Sequence, residues 1–85
     1  MKITLRFFAS VREQLGTSQE HLTLPDSAAT LDDVRALLVQ RGGVWANALG
    51  GEKSLRMALN HVMCRSDAAL KDGCEVAFFP PVTGG

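Results

Sequence analysis

Apolar and polar residues alternate from Lys2 to Phe8, with Ile3, Leu5 and Phe7 on one side and Thr4, Arg6 and Phe8 on the other. A period of two predicts a strand with one buried face. Ser10 precedes Glu13 by the three residues of a capping box, and Gly16 follows as a stop. ASVREQLG therefore predicts a short helical turn. Glu20–Leu24 alternates again, with Leu22 and Leu24 apolar and His21 and Thr23 opposite. The connection is short enough to predict an antiparallel pair.

Pro25-Asp26-Ser27 breaks the pattern. Beyond it the period changes to that of a helix, with Leu31, Val34, Leu37, Leu38 and Arg41 along one face. Thr30 is placed to cap this helix, Asp32 and Asp33 suit its positive end, and Gly42 is the expected stop. WANAL, around Trp45 and Leu49, predicts a short turn or half-helix plugging the core, and residues 50–54 a loop. Leu55–Cys64 reads as one bent strand or two short ones, bending near Asn60-His61. Ala68-Ala69-Leu70 is a small turn and Asp72-Gly73 a tight one. Glu75–Phe79 is the last strand, ended by Pro80-Pro81, neither of which can donate to a ladder. Strands grouped around one covering helix predict an α+β layer fold, most simply a β-grasp with a sheet wrapped on one main helix.

Composition narrows the function. The 85 residues suffice for one domain, with an ordinary 46% hydrophobic and 21% charged. Nine basic residues balance nine acidic ones, with no block of like charge. That distribution lacks the footprint of a nucleic-acid or membrane-surface binder. No apolar run approaches a membrane span, and Thr4 and Arg6 interrupt the opening MKITLRFF, so no signal peptide is read and a cytoplasmic location is expected. Cys64 and Cys74 are then expected as reduced thiols, one or both packed as small apolar groups. With His21 and His61 they lack zinc-ligand spacing, and two cysteines are too few for a plant-type iron–sulfur cluster. No metal site and no bound cofactor are expected. Neither histidine has a Ser or Cys partner that would single it out as a base.

The unusual stretch is FFPPVTGG. Gly42-Gly43 and Gly50-Gly51 read as a helix stop and a loop, but Gly84-Gly85 has nothing after it to turn towards. Pro80-Pro81 stiffens the exit from the last strand, and Pro80–Gly85 can reach roughly 20 Å at about 3.4 Å per residue. An arm stiff at its root and free of Cβ atoms at its tip suits delivery of a carboxylate down a narrow channel. An ionised carboxylate is a poor electrophile until activated, for example as an adenylate. Sulfur can then displace AMP and leave a thiocarboxylate.

RFFASVREQLG and DGCEVAFFPPVTGG together resemble the small subunits of molybdopterin synthase, ubiquitin-like sulfur carriers of molybdenum-cofactor synthesis. That family typically shows an FFA-x-VRE-x-x-G opening and a GDEVAFFPPVTGG-like ending; Cys74 stands where an acidic residue is common. The resemblance implies a ubiquitin-like β-grasp domain over residues 1–79 and an extended arm over 80–85. It implies that an E1-like enzyme uses ATP to adenylate Gly85 and that a sulfur donor protein converts it to a thiocarboxylate. The arm would then enter the large synthase subunit, where sulfur passes to cyclic pyranopterin monophosphate to build the dithiolene. Two small and two large subunits are the expected complex. Pro80, Pro81, Val82, Thr83 and Gly84 would bind the partner along its channel. Strict alternation sends Phe8 and Phe79 away from their core neighbours, into a second packed layer, into ordinary exposure or into an exposed docking patch. By similarity Met63 joins that patch. Arg12 also falls in the opening motif but reads as a solvated side chain. A thiazole-synthesis sulfur carrier and a ubiquitin-like protein modifier are the alternatives, since both begin from the same adenylate.

Overall fold

The opening alternation becomes β1 (Lys2–Phe7), and a computed structural model describing residues 1–50 and 55–80 places it near the middle of a five-stranded mixed sheet. The other strands are β2 (Gln19–Thr23), β3 (Arg56–Leu59), β4 (Val62–Cys64) and β5 (Glu75–Phe79), in the order β2-β1-β5-β3-β4. β1 runs antiparallel to β2, as expected, and parallel to β5, with Arg6 beside Ala77 and Phe7 beside Phe78. β3 pairs antiparallel with both β4 and β5.

Helices α1 (Ala9–Leu15), α2 (Leu31–Val39) and α3 (Gly43–Leu49) lie on one side of the sheet. α2 is the main covering helix. The expected capping box at its start is present: Thr30 Oγ1 accepts from the Asp33 N–H, while Asp33 Oδ2 accepts from the Thr30 and Ala29 N–H groups. These backbone donors hold the Asp33 carboxyl below its ordinary pKa. Leu31, Val34 and Leu38 meet Ile3, Leu5, Phe7, Val76 and Phe78 in the core. Burying side chains of this size stabilises the fold by about 1.5–3 kcal/mol each. Leu49 of α3 is fully buried, and Trp45 meets Phe7 edge to face at 5.7 Å, so WANAL does plug the core, as a two-turn helix.

Three local expectations are corrected. The first helix is not capped by Ser10: Phe8 occupies the N-cap without a side-chain bond, because its N–H donates to Phe78 O and keeps the strand pairing to the edge of the helix. Gly42 does not stop α2, which ends at Val39 with Gln40 as cap; its φ of 75° instead starts α3. Ala69 is not a turn residue but bridges to Thr30, the turn lying at residues 66–67. Leu55–Cys64 resolves into two short strands, with Asn60 and His61 both at positive φ in the connecting turn. Gly16 stops α1 in the left-handed conformation as expected. The expected loop at residues 51–54 lies outside the described residues.

A second fixture ties sheet to helices. Arg41 grips the Glu20 carboxylate of β2 with both terminal nitrogens, and its guanidinium lies 4.4 Å above the Trp45 ring. The hydrogen bond to Arg41 lowers the Glu20 pKa, and the same bond raises that of Arg41.

Candidate functional site

The helices cover one face of the sheet and leave the other open. Pairing register identifies what that open face presents. Arg6, Ala77, Ala58 and Met63 form one row across β1, β5, β3 and β4. Phe8, at the end of β1, meets Phe79 of β5 edge to face, with ring centroids 6.2 Å apart. Arg56 lies directly beside Phe79 on β3.

Phe8 is 40% and Met63 49% exposed, while Phe79 is half-buried. Among the described residues no second layer packs on them, and both rings stay on the open face, Phe8 exposed and Phe79 half-buried. Ala58 and Ala77 are buried at the floor between these larger side chains. Small residues in mid-sheet flanked by aromatics and methionine make a shallow apolar platform. Such a platform marks a contact surface when polar groups rim it.

The polar rim is unevenly satisfied. Arg6 lies 3.8 Å from Glu75 Oε1 and 5.6 Å from the centre of the Phe8 ring. Its Nε is buried and meets no acceptor among the described residues. Glu75 Oε2 is also 3.4 Å from His61 Nε2, and the Glu75 N–H donates to Asn60 Oδ1. His21 is exposed and shares a 3.2 Å hydrogen bond with Thr4 Oγ1. Arg12 is exposed on α1.

β5 carries the site towards the terminal stretch. Its pairing with β1 and β3 on either side fixes Phe79 at the strand's end, and Pro80 follows outside the ladder. Phe8, Met63, Phe79 and Pro80 are thus the expected site residues within the described chain. Pro81, Val82, Thr83, Gly84 and Gly85 lie outside it.

The two thiols turn from the open face towards the core. Cys74 is buried in the core. Cys64 is half-buried, donates to Met57 O at 3.8 Å, and burial raises its pKa. A raised thiol pKa opposes thiolate formation and makes Cys64 a poor nucleophile. Among the described residues no group of three His, Cys, Asp or Glu side chains could hold a metal, and no helix is long and apolar enough to cross a membrane.

Alternation places Arg6 with Phe8 on one face of β1 and Ala77 with Phe79 on one face of β5, but it does not join the two strands, or Arg56 and Ala58, into one surface. Arg56 and Ala58 become visible only once β3 is known to pair with β5.

The mixed sheet, its main covering helix and the aromatic platform at the end of β5 define a ubiquitin-like β-grasp protein. SAMP1 from Haloferax volcanii shares the fold, with a TM-score of 0.81 at 24% identity and coverage of all of both chains. The chain belongs to the ThiS family, whose model matches residues 5–85. It is 43% identical over 83 residues to the molybdopterin synthase sulfur carrier subunit of Haemophilus influenzae, covering 98% of this chain and 99% of that one. It also resembles a chain in the complex of subunits 1 and 2 of the molybdopterin-converting factor from Helicobacter pylori, at 28% identity, a TM-score of 0.68 and full coverage of both.

Proposed function

We propose that this protein is the sulfur-carrier small subunit of a molybdopterin synthase and works in the cytoplasm. The observation that carries the reading is the Phe8–Phe79 pair on the open sheet face, at the point where β5 passes into PPVTGG. A rigid central strand gives that segment a fixed origin, and the aromatic platform beside it gives a partner something to hold. The likeness to the Haemophilus influenzae carrier over nearly the whole chain supports the same conclusion.

In this reading the domain contributes no catalytic side chain. Phe8, Met63 and Phe79 dock on the large synthase subunit and on an E1-like activating enzyme in turn. Pro80, Pro81, Val82, Thr83 and Gly84 guide Gly85 into each partner's site. The activating enzyme uses ATP to form the Gly85 adenylate and releases pyrophosphate. A cysteine persulfide of a donor protein attacks the adenylate and displaces AMP, and a second thiol then cleaves the resulting acyl disulfide, forming a disulfide with the donor cysteine and releasing the thiocarboxylate. In the large subunit that sulfur passes to cyclic pyranopterin monophosphate, and Gly85 returns to the carboxylate with an oxygen from water.

Intact-mass analysis of the protein from cells making molybdenum cofactor tests the reading. A sulfur-for-oxygen mass increase confined to the terminal peptide is expected. Branched peptides joining Gly85 to lysines, without that increase, would make the protein a modifier instead.

A further inference from the structure

The chain is electrically neutral as a whole, yet its open sheet face is not. Among the described residues Lys2, Arg6 and Arg56 share that face with the Glu75 carboxylate, and Asp72 Oδ1 accepts from the Lys2 N–H at the end of β1. The Glu75 carboxylate is already shared between Arg6 and His61. The balancing acids lie elsewhere: Asp32 and Asp33 start α2 beyond the sheet, and Glu20 is engaged by Arg41.

Two arginines flank the aromatic pair itself. Arg56 stands beside Phe79 and is exposed, and no carboxylate among the described residues reaches it. Arg6 is poorly satisfied in the free protein, with an unpaired buried Nε and a carboxylate too distant for a good hydrogen bond. A buried donor without an acceptor carries a desolvation penalty that a better-placed partner can relieve.

We infer that the platform selects a large subunit whose apolar pocket is rimmed by carboxylates, which Arg6 and Arg56 meet on docking; this rests on the docking reading above. Arginine suits the task because its planar fork matches a carboxylate and remains charged when partly desolvated. Rim charges of this kind act chiefly on the rate of association and on the choice of partner. The apolar floor of Ala58, Ala77 and the aromatic pair supplies contact that salt does not screen.

Stopped-flow association with the large subunit of the same organism tests this, comparing the wild type with an Arg6→Gln/Arg56→Gln double variant. Between about 0.01 M and about 1 M salt the screening length falls from roughly 30 Å to roughly 3 Å. The wild-type rate should fall steeply over that range. The double variant should associate roughly tenfold more slowly at low salt and converge on the wild type at high salt. Arg56→Gln alone, at an exposed position, gives the same test with a smaller effect should the double variant fail to fold. Wild-type rates and salt dependence in these variants, while Phe79→Arg no longer binds, would overturn the inference and leave the docking face intact. Normal binding by a folded Phe79→Arg would remove the docking face and the inference with it.

Discussion

Phe8 and Phe79 lie near opposite ends of the sequence and meet edge to face on the open side of the sheet, their ring centres 6.2 Å apart. The parallel pairing of β1 with β5 brings them together, since Phe7 lies beside Phe78 and each neighbouring aromatic turns outward. Phe7 and Phe78 are themselves buried and stacked at 6.2 Å. Two consecutive aromatics on each of two paired strands thus divide between the faces, one pair holding the core and the other on the open side, where the proposed docking would use it.

Phe79→Arg separates those purposes. The isolated domain should stay folded, losing an aromatic contact worth about 0.5–1.5 kcal/mol. Association with the large subunit should weaken by about 3–5 kcal/mol, because the interface would bury an unpaired charge. Circular dichroism and a pull-down read the two effects separately. An unfolded variant would place Phe79 in the structural core.

Stability should fall in acid, with Glu20 and Asp33 contributing. Both carboxyls have folded pKa values below their unfolded ones. Their stabilisation is therefore complete above the ordinary carboxylate range, near 4, and is lost as pH falls through the depressed folded values. Glu20→Gln should remove part of this dependence and cost about 0.5–1 kcal/mol at neutral pH, the value of a partly exposed pair. A loss of that size lowers Tm by roughly 2–8 °C in a domain this small. Thermal unfolding of both proteins across pH 3–7, followed by Trp45 fluorescence, checks the sign. A variant as acid-sensitive as the wild type would remove the Glu20–Arg41 pair from the explanation.

Replacing both Cys64 and Cys74 by serine should leave sulfur loading of Gly85 intact. Cys74 is buried among apolar side chains, so the variant should lose stability, on the order of 1–3 kcal/mol for an unpaired hydroxyl. Loading is measured by mass on folded protein. Its disappearance there would require a thiol relay on this chain.

How much of this could be read beforehand depended on how local the signal was. The alternation in β1 was legible because one face is buried and the other is not. Thr30 and Asp33 were legible because a capping box closes within four residues. Ser10 and Glu13 offered the same spacing, but the Phe8–Phe78 backbone bond set the chain's entry into α1, which no local pattern records. Gly42 stands between two helices, and sequence alone could not decide which it served. The aromatic platform was partly visible, since Phe8 and Phe79 each follow a core phenylalanine. Arg56 joined it only through the β3–β5 register.

The most direct test acts on Gly85. Deleting it, or adding one alanine after it, changes no residue of the described core, so Tm should not change. Each change displaces the reacting carboxylate by about 3.4 Å, and a misplacement of only about 1 Å can cost on the order of 100-fold in rate. Adenylate formation and then molybdopterin production, measured with purified partners, should both be lost. Full turnover by the alanine-extended protein, its extra residue confirmed intact by mass, would contradict a mechanism built on the Gly85 carboxylate.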